Sequence, residues 1–416
     1  MFDDHYKFNE TLLRFLGLWP FGRNECERCR AICFYILLIS RVVAEFAQFI
    51  IADFSINVTI KILLDALTAF LYAVTFNMFF FNTEKLKQML EEVNNNWRML
   101  SDSQEIKILY YYSQQGEKFI IITILLQVLV LFIFFITGLL PDIFNFLRPL
   151  NESRTHYLLF MNEYRINVGI QYYLFFLYTI ISVIIGTSTA IFIISTVLYI
   201  NLHCCAMFKI CSYRMKHCVD TKIIACSNKR NIIVGRIIKT VHIHQKANKL
   251  FKLVTTSFTM SFLTMLMIGT CSFAMCLYRL MNAITRMHDM VEILISAAYI
   301  IGYQFCFFTV SFMGQLVINH SDELFNAIYM SLWYETFITI QKSLLFIMHI
   351  WSKRIIINFG GVCAISMETF TSVRQLTGKK RRRRLINIVS FIALFISDHE
   401  YVNILYDDVF VHTVVS

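Results

Sequence analysis

Residues 118–140 read KFIIITILLQVLVLFIFFITGLL, an apolar run almost uninterrupted by charge. Its length matches the roughly 20 residues that an α-helix needs to cross the hydrocarbon core of a bilayer. Because lipid offers the backbone no hydrogen bonds, a run without polar alternation indicates a helix rather than a barrel strand. Further segments of this kind bring the total to seven, at residues 31–53, 62–82, 118–140, 169–200, 255–281, 291–319 and, broken in two, 337–373.

The composition of the whole chain supports the same interpretation. Of 416 residues, 57% are hydrophobic and only 16% are charged, whereas soluble domains contain about 25% charged residues. We therefore predict an all-α membrane protein, a seven-transmembrane helical bundle. The connections at 83–117 and 205–252 carry charges at helical spacing, so we expect helix extensions there. Residues 1–30 are polar and charged, and no cleavable signal peptide is expected.

Basic side chains fall mostly in every second connection between the apolar segments. Twenty Lys and Arg residues lie in the N-terminus and the second, fourth and sixth connections, and six lie in the other three. Positive charge marks the cytoplasmic side, so we predict a cytoplasmic N-terminus, cytoplasmic helix extensions and an outer C-terminus. A G-protein-coupled receptor has the reverse orientation. The outer side then contains Asn151, in an Asn-Glu-Ser sequon, as the better candidate for glycosylation.

Sequence motifs of other functional classes are missing. The chain has no P-loop, no His-Glu-x-x-His and no Gly-x-Ser-x-Gly, so we expect neither enzyme activity nor a cofactor. Cys26, Cys29 and Cys33 lack a second pair of metal ligands, and neither a zinc site nor a disulfide framework is predicted. We interpret the basic fourth connection as charge that faces anionic lipid, not nucleic acid.

Charged residues also occur inside the apolar segments. Arg41 and Glu45 are one helical turn apart, and because an isolated charge in lipid is costly, we expect them to pair and to face protein. A structural ion pair and part of an ion pathway are both compatible with this position. Asp65 lies near the outer mouth of the second segment, where the sequence assigns it no role.

Aromatic residues make up 15% of the chain, and several lie in the outer halves of segments two, three, four and six. Tyr299 and Tyr303 share a helix face, and their hydroxyl groups need partners, so we expect both to face the bundle. Such side chains could hold a small apolar ligand with few hydrogen bonds, although a packing role stays open. The candidate cage comprises Leu67, Phe70, Phe132, Phe135, Tyr172, Tyr173, Phe176, Tyr299 and Tyr303.

Short motifs at both ends of the chain resemble the insect odorant receptor family. The stretch FNETLLRFLGLWP at 8–20 is similar to the N-terminus of that family, and NW at 96–97 stands where the family often has Asp-Trp. The strongest match runs from Gly314 to Val373 and includes SDEL, KSLL and, at 366–373, SMETFTSV. The order and spacing of these motifs make the resemblance specific over residues 1–373.

The resemblance implies a subunit of a ligand-gated, nonselective cation channel in the plasma membrane of olfactory sensory neurons. Members of that family assemble with a shared odorant co-receptor as heterotetramers, and their cytoplasmic helix extensions hold the subunits together. Volatile ligands bind in the outer halves of spans two to six. The second half of span seven lines the pore, which here implies a pore helix that starts at Ser366, Thr369, Phe370 and Val373.

The chain departs from the family after this point, so we divide it into a receptor-like domain at 1–373 and an atypical tail at 374–416. Six consecutive basic residues, 379–384, stand where an apolar pore helix is expected, and they would repel permeant cations. We interpret the tail as an altered end of the coding sequence, such as intron read-through. The alternative functions are a G-protein-coupled receptor and a secondary transporter. The charge distribution argues against the receptor. A transporter would be expected to have internal repeats and broken helices, and the sequence shows neither.

Overall fold

The computed structural model describes residues 7–51, 55–147, 170–219, 229–287, 290–359 and 363–364, and nearly all of them are helical. A π-helical turn, Ala283–Met287, and a 3-10 turn, Trp333–Glu335, interrupt the chain late in the bundle. The α-helices are α1 (Lys7–Leu16), α2 (Glu25–Ile51), α3 (Ile56–Phe80), α4 (Thr83–Met99), α5 (Ser103–Leu147), α6 (Ile170–Lys216), α7 (Lys229–Asn282), α8 (Met290–Tyr329) and α9 (Ile338–Trp351).

Among the described helices, α2, α3, α5, α6, α7 and α8 are each long and apolar enough to cross a membrane. They correspond in order to the first six apolar segments of the sequence. The prediction of an all-helical membrane bundle is therefore confirmed, and the small β-structure described below is a minor departure from it.

The seventh apolar segment, at 337–373, is described only in part. Its first part is α9, which is too short for a full crossing, and after it the chain forms an antiparallel pair of strands, β1 (Asn358–Phe359) and β2 (Cys363–Ala364). The expected start of the pore helix, at Ser366, Thr369, Phe370 and Val373, lies outside the described residues. The tail at 374–416 and the glycosylation candidate Asn151 lie outside them as well.

One face of α2 is exposed and apolar along its whole length. The exposed apolar residues of this face are spaced alternately four and three residues apart, which keeps their side chains on one side of the helix. Apolar side chains in this arrangement suit contact with lipid tails rather than water. They are Ile32, Ile36, Ile39, Val43, Phe46 and Ile50.

At one end of the bundle, helices α5 to α8 continue past the apolar segments and pack with α4 into a dense core. This confirms the predicted helix extensions. Arg214 on α6 pairs with the buried carboxylate of Glu105 on α5, and Lys249 on α7 lies 2.6 Å from Glu92 on α4. The Arg214–Glu105 pair, with its buried carboxylate, joins the extensions of α5 and α6, whereas the Lys249–Glu92 pair is largely exposed and contributes little to stability.

The N-terminal motif has a structural reason in the turn that ends α1. Gly17 has a φ of +70°, which an L side chain adopts only at a cost, and a Cβ there would overlap the carbonyl oxygen of Glu27. Trp19 is buried two residues later, and the Arg14 guanidinium lies 6.0 Å above its ring. The glycine thus lets the turn approach α2 closely enough to bury the tryptophan.

Candidate functional site

The apolar half of the bundle contains a cavity of about 300 Å³, and all six membrane-length helices contribute to its wall. This volume is at the lower end of the range of roughly 300–1,000 Å³ that is typical of small-molecule sites. The wall is mostly aliphatic and aromatic, and each of the six helices also contributes at least one polar side chain. Such a site can hold a small apolar molecule by shape and fix its orientation by a few hydrogen bonds.

One face of α3 supplies most of the polar groups at one end of the cavity. Asp65, Thr68, Tyr72 and Thr75 recur every three or four residues and all line the wall, as the helical period requires. The ring of Tyr72 lies against α6 at Gly186, where an added Cβ would come within 2.7 Å of its Cγ. The absence of a side chain at Gly186 therefore lets α3 and α6 approach each other at this level.

Two tyrosines of α8 contact Asp65 and Thr68 of α3 directly. Tyr299 donates a hydrogen bond of 3.0 Å to Asp65 Oδ1, and the Tyr303 hydroxyl lies 2.9 Å from Thr68 Oγ1. Phe134 of α5 packs edge-on against the Tyr299 ring, with centroids 5.5 Å apart. The phenol groups thus have hydrogen-bond partners inside the bundle, and both tyrosines are part of the wall.

The α5 side of the wall shows a regular helical face. Phe119, Thr123, Gln127, Val130 and Phe134 line the cavity at intervals of three or four residues. Thr123 and Gln127 are the polar members of this face. The Thr123 hydroxyl donates to the carbonyl oxygen of Phe119, and Gln127 Nε2 donates to two hydroxyl groups of α6 at 2.9 Å each. This amide crosses from α5 to α6 and fixes the distance between the two helices.

Two buried arginines near the cavity are paired with carboxylates. The structure places the Arg41 guanidinium in contact with the Glu45 carboxylate, and Arg41 Nη1 also donates to Thr179 on α6 at 2.9 Å. Arg279 of α7 donates to Glu292 of α8 at 2.9 Å. Since an unpaired charge in a low-dielectric interior is costly, these contacts allow ionised groups to line an otherwise apolar site.

The structure brings two of the nine cage candidates together at this cavity, Tyr299 and Tyr303. The other described candidates do not line it. The side chains of Phe70, Phe132, Phe135 and Tyr173 are exposed on the outside of the bundle, and those of Leu67 and Phe176 are half-buried elsewhere; the side chain of Tyr172 lies outside the described ones.

Helix geometry explains why the remaining candidates lie elsewhere. Each residue advances about 100° around an α-helix, so Phe132 points away from its near neighbours Val130 and Phe134 on the cavity wall. Phe176 shares a face with Val183 on α6 but lies seven residues, or about 10 Å, farther along the axis. Aromatic type and depth alone therefore do not determine which side of a helix a residue occupies, and Phe70, Phe132, Phe135 and Tyr173 lie on the exposed sides of helices that also contribute to the cavity wall.

Sequence reasoning missed the polar face of α3 and the amide of Gln127. A usable signal was present, because Asp65, Thr68, Tyr72 and Thr75 are polar or amphipathic residues at helical intervals within an apolar span. A polar residue in lipid must face protein or a cavity, and several on one face point to the same neighbour. Among the described residues, no group of three or more His, Cys, Asp or Glu side chains is placed to hold a metal ion.

Comparisons with known proteins agree with this architecture. A sequence model of the family described as "7tm Odorant receptor" matches residues 55–378. The fold is similar to that of the insect olfactory receptor OR5 from Machilis hrabei in complex with eugenol, with a TM-score of 0.69 and 12% identity over 89% of this chain and 94% of that one. A second structure of OR5 gives a TM-score of 0.68, also at 12% identity and with the same shares of the two chains. No curated protein sequence matches the chain.

Proposed function

Because the chain belongs to the 7tm odorant receptor family, with more than half of its length matched, we propose that its cavity binds small volatile molecules and that binding opens a cation channel. The cavity on the α3, α5 and α8 faces is the observation that carries this proposal. It lies within the apolar half of the bundle, where molecules that partition into lipid are concentrated. The OR5 structure with eugenol is a precedent for a small aromatic ligand in a bundle of this fold.

The chain is a membrane-spanning odorant receptor. We place it in the plasma membrane of olfactory sensory neurons, with the N-terminus in the cytoplasm. The excess of basic residues in the N-terminus and in alternate connections supports this orientation. The densely packed helix extensions then lie in the cytoplasm, where they are suited to hold subunits together.

The proposed channel is a hetero-oligomer, expected to be a tetramer, with a shared odorant co-receptor. The segment after α9 supplies this chain's share of the pore, and a nonselective cation current is the expected output. A ligand shifts the balance between closed and open states only by binding one of them more tightly. The cavity meets a condition for such a shift, since its wall is formed by six separate helices whose spacing a ligand can alter.

Whole-cell current from cells that express the chain with an odorant co-receptor tests the proposal. A panel of volatile compounds, eugenol included, is applied while surface expression is measured. We expect an odour-evoked, nonselective cation current that cells with the co-receptor alone do not show.

The tail at 374–416 calls for a variant of the chain in the same experiment, with a family-like pore helix after Val373. Current from this variant but not from the native chain would mean that the cavity is intact and the pore is not. Silence of both at the cell surface would contradict the channel function. Staining of an N-terminal epitope on intact cells would contradict the proposed orientation.

A further inference from the structure

The hydrogen atoms of the hydroxyl groups around Tyr303 can be assigned one by one. Thr68 Oγ1 donates its only hydrogen to the carbonyl oxygen of Leu64, at 2.7 Å. Its second contact, 2.9 Å to the Tyr303 hydroxyl, must therefore be one that it accepts. Tyr303 thus uses its own hydrogen on Thr68, and only the lone pairs of its oxygen remain for a ligand.

The same count applies to Tyr299 and Gln127. Tyr299 donates its single hydroxyl hydrogen to Asp65 Oδ1. Gln127 donates both Nε2 hydrogens to Thr187 and Ser188. Thr187 can only accept there, because its own hydrogen bonds the Val183 carbonyl at 2.7 Å. The remaining hydrogen-bonding atom of the Gln127 amide is its Oε1 oxygen, again an acceptor.

Asp65, Tyr299 and Tyr303 therefore form an acceptor edge along the cavity wall. We propose that this edge selects neutral hydroxyl compounds, alcohols and phenols, over ketones and ethers of the same shape. A ligand hydroxyl can donate to these oxygens, whereas a carbonyl or ether oxygen would face lone pairs and lose the hydrogen bonds it had in water. The inference rests on the proposed function, since it assumes that the cavity is the odorant site.

Charged amines are a poorer match to the same edge. The cationic side chains of Arg279 and Arg41 already act on the Asp65 carboxylate. An ammonium ion would have to compete with both and to lose its own hydration. A neutral hydroxyl group needs only an acceptor lone pair, which this edge supplies.

Other polar groups of the wall do not reverse the preference. Tyr72, Gln304 and Ser195 line the cavity and can donate or accept, so they favour neither ligand class. Arg41 on the same wall can only donate, and its guanidinium is engaged with Glu45 and Thr179. Ser311 lies twelve residues after Tyr299 on α8, about 18 Å along the axis. The preference for ligands that donate a hydrogen bond is therefore a property of one end of the cavity.

Two matched ligand pairs test the proposal: 2-heptanol with 2-heptanone, and 4-ethylphenol with its isomer 4-methylanisole. Each ligand is titrated in two assays on the full chain, evoked current with the co-receptor and the ligand-dependent rise in the unfolding temperature of the purified receptor. We expect the hydroxyl member of each pair to act at about tenfold lower concentration in both assays, which is the effect of one hydrogen bond. The second assay reports binding whether or not the pore conducts.

Two substitutions assign the preference to the acceptor edge. Tyr303→Phe removes one acceptor oxygen and Asp65→Asn replaces a carboxylate oxygen by an NH₂ donor, so both should bring the two members of each pair to within about twofold. Leu294→Val, on the exposed side of α8, is the matched control and should keep the tenfold preference.

The outcomes separate this inference from the proposed function. Equal potency of hydroxyl and carbonyl or ether ligands, or a preference that survives both edge variants, would overturn the inference while leaving an odorant receptor. Binding that favours the hydroxyl compounds but evokes no current would support the inference and contradict the proposed channel function. The absence of both current and thermal shift for all four compounds would contradict the hydroxyl selectivity.

Discussion

Replacement of Gly186 by alanine should test the close approach of α3 and α6 beside the cavity. A Cβ at this position would lie 2.7 Å from Tyr72 Cγ, about 1 Å inside the usual carbon–carbon contact distance of roughly 3.5–4.0 Å. Because Cγ is the root of the ring, rotation of the ring cannot relieve the overlap, and α3 or Tyr72 must move. Overpacking of this kind costs about 1–3 kcal/mol, partly offset by the gain of about 1 kcal/mol for alanine over glycine in a helix.

Gly302→Ala is the matched control for this variant. Gly302 also lies in a helix and lines the cavity, but a Cβ there meets nothing within 4 Å, so the change has only the helix-propensity gain. The propensity term cancels between the two variants, and Gly186→Ala should be less stable than Gly302→Ala by about 1–3 kcal/mol. Thermal unfolding of the purified full-length variants measures the difference, expected to be a few degrees. Equal unfolding temperatures would refute the packing described for Tyr72.

Three further predictions address other parts of the molecule. Gly17→Ala should reduce the free energy of unfolding by at least about 2 kcal/mol more than Gly22→Ala. Both glycines have a positive φ, but only a Cβ added at Gly17 would overlap the backbone of α2. Equal unfolding temperatures of the two variants would contradict this. Glu45→Gln should cost about 3–5 kcal/mol by leaving a buried guanidinium without its carboxylate, and apolar replacement of both members should recover most of that loss in unfolding experiments. Phe134→Leu should change odorant potency more than Phe132→Leu does, since only Phe134 lines the cavity; the opposite order in dose–response curves would favour the aromatic cage predicted from sequence.

Pairing of buried charges has a consequence for how the bundle responds to ligands. Arg41 links α2 to α6 through Thr179, and Arg279 links α7 to α8 through Glu292. These links hold the helices around one end of the cavity in register. A ligand at the acceptor edge therefore contacts a part of the wall where hydrogen bonds join neighbouring helices, and we expect a displacement of one helix there to move the helix bonded to it.

Tyr299 and Tyr303 were identified from the sequence because their spacing and their polar hydroxyl groups demand an interior position. Phe132 and Phe135 were chosen on aromatic character and depth, and these properties are equally compatible with lipid. A phenylalanine carries no group that must avoid the bilayer, so its sequence position does not reveal which side of the helix it occupies. Polar side chains in an apolar span carry that information, and Asp65 and Gln127, to which the sequence alone assigned no role, both line the cavity.

The sequence alone determined that the chain is an all-helical membrane protein, where most helices lie and that two tyrosines face inward. These properties depend on which residues in a segment are apolar or charged and on how they are spaced along a helix, so the sequence of a single segment is enough to predict them. Only the tertiary structure decided which face of each helix meets its neighbours, that Gly186 receives the Tyr72 ring and that Tyr299 bonds Asp65. Those contacts join residues far apart in the chain, and they depend on helix rotation and spacing, which are set by the packing of all six long helices together.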